Sequence, residues 1–529
     1  MRDFHKPGRS AVFSSNGMCA TSHPLAAKAA IDTMQAGGNA VDAALTAAFM
    51  LCICEPQMTG LGGDCFVLLK PANSEKMIAL NGSGRAPAAL DVPELRAQRH
   101  KTMPIRHVAA VTMPGAVDAF CRLSTDWGKL GLAQNLAPAI HYAEQGVPVA
   151  PRTAFDWSIA ARDGFLSKHA QRFYLPKGTA PQAGDMFHAP KQAEVMRRIA
   201  THGRAGFYEG EVAQDLISSL NALGGDHTLE DLNAVACTYD DPIQGTYRGA
   251  TLYEHPPNGQ GATAILLANI LARFDMSRLD PFGAQRLHLE AEAARLAYDA
   301  RDRFIADMEF TDRMDHMLSP ETADRLAGLI DPARRAQGLA AKAGENVHKD
   351  TVYLTVVDRD RMAVSLIFSI FHSFGSGLAS DKFGILFQNR GAGFTLEPDH
   401  PNEAGGGKRP MHTIIPAMLN DSAGRLMPFG VMGGQFQPTG HVRVMSNMLD
   451  FGMDPQAAID GPRSFADGDV LKVERGTDAA VLAELEAMGH MIEIPEGPLG
   501  GAQAIRIDPA RGVLEGASDG RKDGCAIGY

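Results

Sequence analysis

Residues 350–358 read Asp-Thr-Val-Tyr-Leu-Thr-Val-Val-Asp, and they follow abruptly on a polar segment, residues 334–350. That segment is charged and rich in Ala, Gly and Lys, with little to bury, so we expect it to be exposed. The run after it has the β-branched composition of a strand, and residues 362–368 predict its hairpin partner. The sequence therefore predicts that Thr351 opens a strand directly behind an exposed segment.

Thr351 becomes chemically useful if the chain is cut just before it. A threonine hydroxyl is a weak nucleophile, but the new α-amino group would have an unperturbed pKa of about 7.7–8.0 and would act as a base near neutral pH. One residue would then supply both nucleophile and base. From spacing alone, an ordinary strand threonine after a loop explains the pattern better.

Composition limits the class of protein. The chain has 529 residues, a formal net charge of −11 and 45% hydrophobic residues, which predicts a large globular protein of one or several domains. The acidic balance argues against a nucleic-acid partner. Neither a run of 18 apolar residues nor a signal-peptide pattern is present, so we predict a cytoplasmic protein that does not enter a membrane.

Motifs for metals and cofactors are missing. The 7 cysteines are irregularly spaced without a C-x-x-C pair, and we predict reduced thiols. The 18 histidines show no ligand spacing, and the phosphate-loop, H-E-x-x-H and kinase motifs do not occur. We therefore predict no cofactor and no metal. One G-x-S-x-G match, residues 516–520, has no helix or histidine after it, and we interpret it as a loop.

The coarse pattern of elements predicts a layered fold. Helices are expected at residues 23–35, 40–51, 284–304, 440–453 and 479–488, and the stretch 109–333 is mainly helical. Further strands are expected at residues 65–70, 77–80, 384–388, 413–419, 425–429, 491–494 and 504–507. Strand pairs alternating with packed helices predict an α+β sandwich of helix, sheet, sheet and helix.

Short motifs recur in a fixed order along nearly the whole chain. Together, though not singly, they are specific, and by them the sequence resembles the γ-glutamyltransferase family of N-terminal-nucleophile (Ntn) hydrolases. The motifs are Gly37-Gly38-Asn39-Ala40-Val41-Asp42-Ala43-Ala44, Glu55-Pro56, Gly60-Leu61-Gly62-Gly63, Met113-Pro114-Gly115-Ala116-Val117, Phe207-Tyr208-Glu209-Gly210-Glu211, Leu229-Glu230-Asp231-Leu232, Gly245-Thr246-Tyr247-Arg248-Gly249, Pro256-Pro257 before Gln260-Gly261, Phe374-Gly375-Ser376-Gly377, Lys408-Arg409-Pro410, Gly433-Gly434, Asp450-Phe451-Gly452-Met453 and Gly516-Ala517-Ser518-Asp519.

The resemblance implies a four-layer αββα fold and a precursor that cuts itself. It implies that Thr351 attacks the carbonyl of Asp350, which is followed by an N-to-O acyl shift and hydrolysis. The products would be a large subunit, residues 1–350, and a small subunit, residues 351–529, intertwined in one fold. The implied partners are these two subunits and a small-molecule amide, with a homodimer of such heterodimers as one candidate assembly.

The resemblance also implies the catalytic residues. Ser369 matches a hydroxyl that hydrogen-bonds the nucleophile, and Gly433-Gly434 match the oxyanion hole, in which one donor is typically worth ~2.7–4 kcal/mol. The family usually has Thr-His after the nucleophile, whereas this chain has Val352-Tyr353.

The family's amino-acid clamp is lost in this chain. Its arginine falls on Ser83, with Arg85 two residues later, and its Asp-Asp-Phe becomes Ala392-Gly393-Phe394. A pair of serines and an asparagine are also replaced, and the family's lid loop is shortened between Phe394 and Lys408. The substrate-binding residues expected here are Arg85, Phe371, His372, Arg390, His412 and Thr413.

These changes predict a short pocket for a small anionic acyl group. Phe371 and His412 are bulkier than the family residues, and an arginine pairs bidentately with a carboxylate. We prefer Arg85 over Arg390 in this role, although an ordinary ion pair explains either arginine equally well. The best candidate activity is hydrolysis of oxamate to oxalate and ammonia. The alternatives are a γ-glutamyltransferase or glutathione hydrolase, another acylase of the family, and an uncut, non-enzymatic precursor-like protein.

Overall fold

A computed structural model of the chain describes His5, residues 8–336 and residues 351–529. The predicted cleavage residue Asp350 and most of the predicted exposed segment lie outside the described residues. Within the described part, no helix has both the length and the apolar character that a membrane crossing requires.

Helices form the two outer layers of the molecule. In chain order, the α-helices of the described residues are α1 (Pro24–Gln35), α2 (Ala40–Cys54), α3 (Val92–Ala97), α4 (Ala116–Trp127), α5 (Leu132–Gln145), α6 (Pro151–Arg162), α7 (Lys168–Tyr174), α8 (Pro190–His202), α9 (Ala205–Tyr208), α10 (Gly210–Ala222), α11 (Leu229–Asn233), α12 (Gly261–Leu271), α13 (Ala284–Phe304), α14 (Met314–Leu318), α15 (Pro320–Ala327), α16 (Gln437–Leu449), α17 (Pro455–Asp460) and α18 (Ala479–Ala487).

The described residues contain nineteen strands, of which fourteen form the two inner layers and five form two smaller sheets. They are β1 (Val12–Ser14), β2 (Met18–Thr21), β3 (Asp64–Lys70), β4 (Ile78–Gly82), β5 (Val147–Pro148), β6 (Met186–Phe187), β7 (Thr238–Asp240), β8 (Ile243–Tyr247), β9 (Ala250–Glu254), β10 (Val352–Val357), β11 (Ala363–Ser369), β12 (Ala417–Asn420), β13 (Leu426–Met432), β14 (Ser464–Asp467), β15 (Val470–Val473), β16 (Met491–Glu493), β17 (Gly501–Asp508), β18 (Val513–Ser518) and β19 (Cys525–Gly528).

Two seven-stranded antiparallel sheets face each other. One has the order β1-β18-β17-β13-β12-β9-β8, and the other has the order β19-β2-β10-β11-β3-β4-β7. Helices α1, α2, α4 and α5 share a buried core with the second sheet, and α12, α13 and α16 share another with the first. A third buried cluster, which includes Met18, Leu68, Met418 and Ile505, lies between the sheets. The four-layer αββα sandwich predicted from the sequence is therefore confirmed.

The alternation of side chains along β10 decides where Thr351 lies. Val352, Leu354 and Val356 pack into the core shared with helices, whereas Tyr353 joins a cluster with Met432 of the opposite sheet. Successive side chains of a strand point to opposite faces, and Val352 pairs with Phe368 of β11. Thr351, just before β10, and Ser369, at the end of β11, therefore share the side that faces the other sheet.

Several short elements differ from the sequence-based expectations. Residues 384–388 form no strand and contribute only an isolated bridge between Ala379 and Leu386. The interpretation of residues 516–520 as a loop is wrong for their first half, because Gly516 pairs with Val12 inside β18. Strands β7, β8 and β9 fall in the stretch expected to be mainly helical. Three- to five-residue strands show too few alternations to stand out from helical neighbours.

Candidate active site

Thr351 is held by the serine at the end of the neighbouring strand. It is 1% exposed, and its Oγ1 donates a hydrogen bond to Ser369 Oγ over 3.3 Å. The same serine oxygen accepts the backbone N–H of Phe371 at 2.8 Å. The Thr351 hydroxyl is thereby fixed relative to the turn that follows β11. The structure thus brings together two of the residues expected to be catalytic.

Gly433 and Gly434 lie directly after β13, across the sheet interface from Thr351. Met432 of β13 and Tyr353 of β10 belong to one buried cluster, which places the ends of these strands together. The two glycines have φ values of +116° and +56°, a conformation that favours glycine. Consecutive backbone N–H groups in turns of this kind form a concave anion-binding nest. We refer to Gly433-Gly434 as the oxyanion nest, after the role that the family resemblance implies for them.

Arg390 is a fully buried cation beside this arrangement. Its Nη1 donates to Thr413 Oγ1 at 3.1 Å, and its guanidinium carbon lies 4.1 Å from the centre of the Phe371 ring. Among the described residues, its Nε and Nη2 atoms have no hydrogen-bond partner. Burial lowers the pKa of Arg390 to about 9, while the nearby Asp64 opposes that shift. The guanidinium therefore has two donors available for an anionic ligand.

Asp64 and His412 form a buried pair that the sequence analysis did not identify. His412 Nε2 lies 3.1 Å from Asp64 Oδ2, and Asp64 Oδ1 accepts the backbone N–H groups of Gly84 and Gly115 at 3.0 Å each. Burial raises the pKa of Asp64 to about 6, and Arg390 counteracts this. Burial, with a smaller contribution from Arg390, holds the pKa of His412 well below its usual value. The lowered pKa favours the neutral form of His412, and the tautomer with the proton on Nε2 suits the acceptor oxygen of Asp64.

The preference for Arg85 is not supported by its surroundings. Its guanidinium donates to Asp307 Oδ2 at 3.1 Å and to the Gly407 carbonyl at 2.9 Å, and its side chain is 41% exposed. It lines a cavity of about 120 Å³ that shares no lining residue with the larger cavity next to Phe371. The geometry therefore favours Arg390 over Arg85 as the residue that meets an anion.

Phe371 and His372 line a cavity of about 450 Å³ that adjoins the site. Phe371 has a φ of +80°, a conformation that costs energy for a bulky side chain. His372 Nδ1 lies 2.8 Å from Asn389 Nδ2, and Asn389 Oδ1 accepts the backbone N–H of His372. These bonds hold His372 next to Phe371, whose ring contacts the guanidinium of Arg390.

Gln260 is a second residue that the sequence analysis missed. It is fully buried, and its Nε2 donates to the carbonyl oxygens of Thr413 and Gly434. It belongs to the motif Gln260-Gly261, which contributes to the family resemblance but does not by itself indicate a role for the glutamine. A glutamine at the start of α12 has no chemical signature that distinguishes it from a helix-capping residue.

One group outside the site has the composition of a metal site. Ligand atoms of His288, Glu292 and His490 lie within 4.8 Å of one another. His288 Nδ1 and His490 Nε2 share a hydrogen bond of 2.8 Å, and Glu292 is paired with the buried Arg295. A divalent cation there would lie next to that guanidinium, so the group fits a packing role better than metal binding.

The sandwich, with a buried threonine at the start of an inner strand opposite a glycine nest, defines an Ntn hydrolase. The chain belongs to the gamma-glutamyltranspeptidase family, because the model of that family, described as Gamma-glutamyltranspeptidase, matches residues 26–529. The resemblance inferred from the motifs is confirmed.

Three relatives span the chain almost from end to end. It is 35% identical to the oxamate amidohydrolase proenzyme of Klebsiella pneumoniae and 33% identical to the glutathione hydrolase-like YwrD proenzyme of Bacillus subtilis, each match covering 98% of this chain and 99% of the relative. The crystal structure of cephalosporin acylase from Bacillus halodurans aligns with a TM-score of 0.91 and 37% identity, covering 100% of this chain and 99% of that one. The chain is therefore an enzyme, and the proenzyme names of its relatives support self-processing into a large and a small subunit.

Proposed function

We propose that the protein is a self-processing amidohydrolase that uses Thr351 as its nucleophile and acts on a small anionic amide, with oxamate as the first candidate. The observation that carries this proposal is Arg390, a buried guanidinium with two unused donors next to the turn that holds Ser369. A carboxylate paired bidentately with that guanidinium satisfies both partners. The site therefore suits an acyl group with a carboxylate beside the scissile carbonyl.

Processing comes first in this proposal. Thr351 Oγ1 attacks the carbonyl carbon of Asp350, the peptide becomes an ester by an N-to-O shift, and water hydrolyses the ester. Residues 1–350 then end in a new carboxylate, and residues 351–529 begin with a free α-amino group. Ser369 supports the step, because its oxygen accepts the hydrogen bond that aims the Thr351 hydroxyl.

Turnover then uses the same hydroxyl. The α-amino group of Thr351 takes the proton from Oγ1, which attacks the amide carbonyl of the substrate. The N–H groups of the oxyanion nest stabilise the negative oxygen of the tetrahedral intermediate. The proton passes to the leaving nitrogen, ammonia departs, and water hydrolyses the acyl ester to release oxalate.

The loss of the family's amino-acid clamp supports a substrate whose acyl group carries no ammonium. By the family resemblance, Gly393 takes the position of the ammonium-binding aspartate, and Phe371 takes the position of the pocket asparagine. One of the relatives is named as an oxamate amidohydrolase, which agrees with this reading. All seven cysteines are free thiols, which supports a reducing compartment such as the cytoplasm.

The cavity of about 450 Å³ favours a second candidate function. It adjoins Phe371, Gln435 and Arg301 and has room for a leaving group much larger than ammonia. An acylase that removes a small anionic acyl group from a bulky amine would use the same nucleophile and the same Arg390.

A substrate panel tests the proposed function. We expect ammonia release from oxamate, malonamate or succinamate with a kcat/KM at least about a hundredfold above that for γ-glutamyl-p-nitroanilide, a difference of ~2.7 kcal/mol. The reason is that a buried, unpaired ammonium is costly. The assay measures ammonia and p-nitroaniline with the processed enzyme. Turnover of the γ-glutamyl anilide that matches the best small amide would favour the γ-glutamyltransferase alternative instead.

Phe371→Asn tests whether the aromatic ring that contacts Arg390 contributes to substrate binding. We expect kcat/KM for the best anionic amide to fall about tenfold, because a cation–π contact of ~0.5–2 kcal/mol is lost and the pocket widens. Phe374→Asn is the matched control, since Phe374 is also left-handed but packs on Trp157 and Tyr174. Thermal unfolding should show the control to be the less stable variant. An unchanged kcat/KM in Phe371→Asn would exclude a role for the ring in binding.

A further inference from the structure

Gln260 joins two parts of the site through one buried amide group. Its Nε2 donates to the Thr413 carbonyl at 2.6 Å and to the Gly434 carbonyl at 3.1 Å. Thr413 is the residue whose hydroxyl accepts from Arg390, and Gly434 belongs to the oxyanion nest. Thr413, Arg390 and Phe371 form what we call the acyl-binding wall. The side chain of Gln260 therefore contacts both this wall and the oxyanion nest.

The orientation of this amide is decided by Arg301 on α13. Arg301 Nη1 donates to Gln260 Oε1 at 2.9 Å and also to Gln435 Oε1. Since a guanidinium has donors and no acceptor, only the oxygen of Gln260 can face it. The nitrogen must then face the two carbonyls. Tyr298, on the same helix, donates to the backbone carbonyl of Gln435 and holds the residue after the nest.

Such a link matters because the nest is made of glycine. Gly434 has a φ of +56° and no side chain to hold its peptide in place, so a bond to its carbonyl restricts the rotation that would re-aim the neighbouring N–H groups. A displacement of about 1 Å at a reacting centre can cost about a hundredfold in rate. The same amide also binds the carbonyl of Thr413. The distance between the oxyanion nest and the acyl-binding wall therefore depends on Gln260.

We propose that Gln260 is a positioning residue that keeps the oxyanion nest in register with the acyl-binding wall. This inference rests on the proposed roles of Thr351 and the nest, and it does not depend on the identity of the acyl group. Gln260 touches no reacting atom, and it acts through the carbonyls of Thr413 and Gly434. Its removal should therefore slow the chemical step more than it weakens substrate binding.

Gln260→Met is the central variant, because methionine has a similar length and neither a donor nor an amide oxygen. Gln456→Met is its control: Gln456 is 4% exposed, and its amide donates to the Ser518 carbonyl and accepts the Ser518 N–H, each at 2.9 Å, outside the site. The melting temperature, kcat and KM on the best amide of the panel are compared. We expect both variants to lose similar stability, and only Gln260→Met to lose kcat, by ten- to a hundredfold, with KM changed less than about threefold.

Gln260→Glu separates the two sets of bonds. A carboxylate beside Arg301 keeps the contact with the guanidinium, but it offers no donor to the two carbonyls, so kcat should fall at least as far as in Gln260→Met. Wild-type kcat in Gln260→Glu, or equal kcat in Gln260→Met and Gln456→Met, would overturn the proposal.

The test does not require a known natural substrate. If no small amide is turned over, the proposed function fails, and acylation of Thr351 by p-nitrophenyl acetate still reports on the nest through release of p-nitrophenolate. Slower acylation in Gln260→Met than in Gln456→Met supports the positioning role. Equal acylation rates in the two variants contradict it.

Discussion

Thr351→Ala is expected to yield an uncut and inactive chain. One hydroxyl serves both the cleavage and the turnover in the proposed mechanism, and alanine removes it without filling new space. A denaturing gel should show two bands of unequal size for the wild type and one band for the variant. Amide hydrolysis should fall to background, since loss of a nucleophile costs many orders of magnitude in kcat. Thr351→Ser keeps a hydroxyl and should still process.

Thr355→Ala is the matched control for this experiment. Thr355 lies inside β10, four residues after Thr351, and is fully buried. This variant should be cut and active, which would separate loss of the nucleophile from damage to β10. Cleavage and activity in Thr351→Ala would show that another residue is the nucleophile.

Arg390→Met is expected to lower kcat/KM for an anionic amide by ten- to a hundredfold while processing stays complete. The loss corresponds to a hydrogen bond to a charged group, ~1.5–3 kcal/mol. Processing should be spared because the precursor brings no free carboxylate to this guanidinium. Steady-state kinetics on fully processed enzyme, checked on a denaturing gel, measure the effect.

Arg85→Met is the control for Arg390. It removes the cation beside the buried carboxylate of Asp307, so the melting temperature should fall, but kcat/KM should stay within about twofold. A large loss in Arg85→Met with none in Arg390→Met would restore the preference drawn from the sequence. No loss in either variant would mean that an arginine does not hold the substrate, and the oxamate proposal would lose its main support.

The layered fold could be predicted because its long elements carry clear periodicities. The expected helix 284–304 coincides with α13, and the strand expected behind Thr351 is β10. Strand β18 was missed because Gly516 and Ser518 have the composition of a loop, and only its pairing with β1 and β17 makes it a strand. Pairing partners that lie hundreds of residues away leave no local trace in a sequence.

Only part of the candidate site could be predicted from the sequence, because most of its contacts join residues that are far apart in the chain. Thr351 and Ser369 are adjacent through the hairpin of β10 and β11, and the family resemblance indicated both residues. The choice between Arg85 and Arg390 depends on Asp307, which lies 222 residues from Arg85 in the chain. The partner of His412, Asp64, is 348 residues away. Whether a charged side chain already has an ion-pair or hydrogen-bond partner depends on the folded structure. It could not be predicted here from the sequence alone.

The order of strands in the second sheet has a consequence for how the enzyme is assembled. Strands β10 and β11 are inserted between β2 and β3, so a cut anywhere between Ala336 and Thr351 leaves each piece hydrogen-bonded on both sides to the other. The pieces cannot separate without breaking the central sheet. Once they are unfolded and diluted, however, they must find each other before that sheet can form again. Cleavage therefore makes refolding an association of two chains instead of the folding of one. The lifetime of the cleaved enzyme then depends on its rate of unfolding.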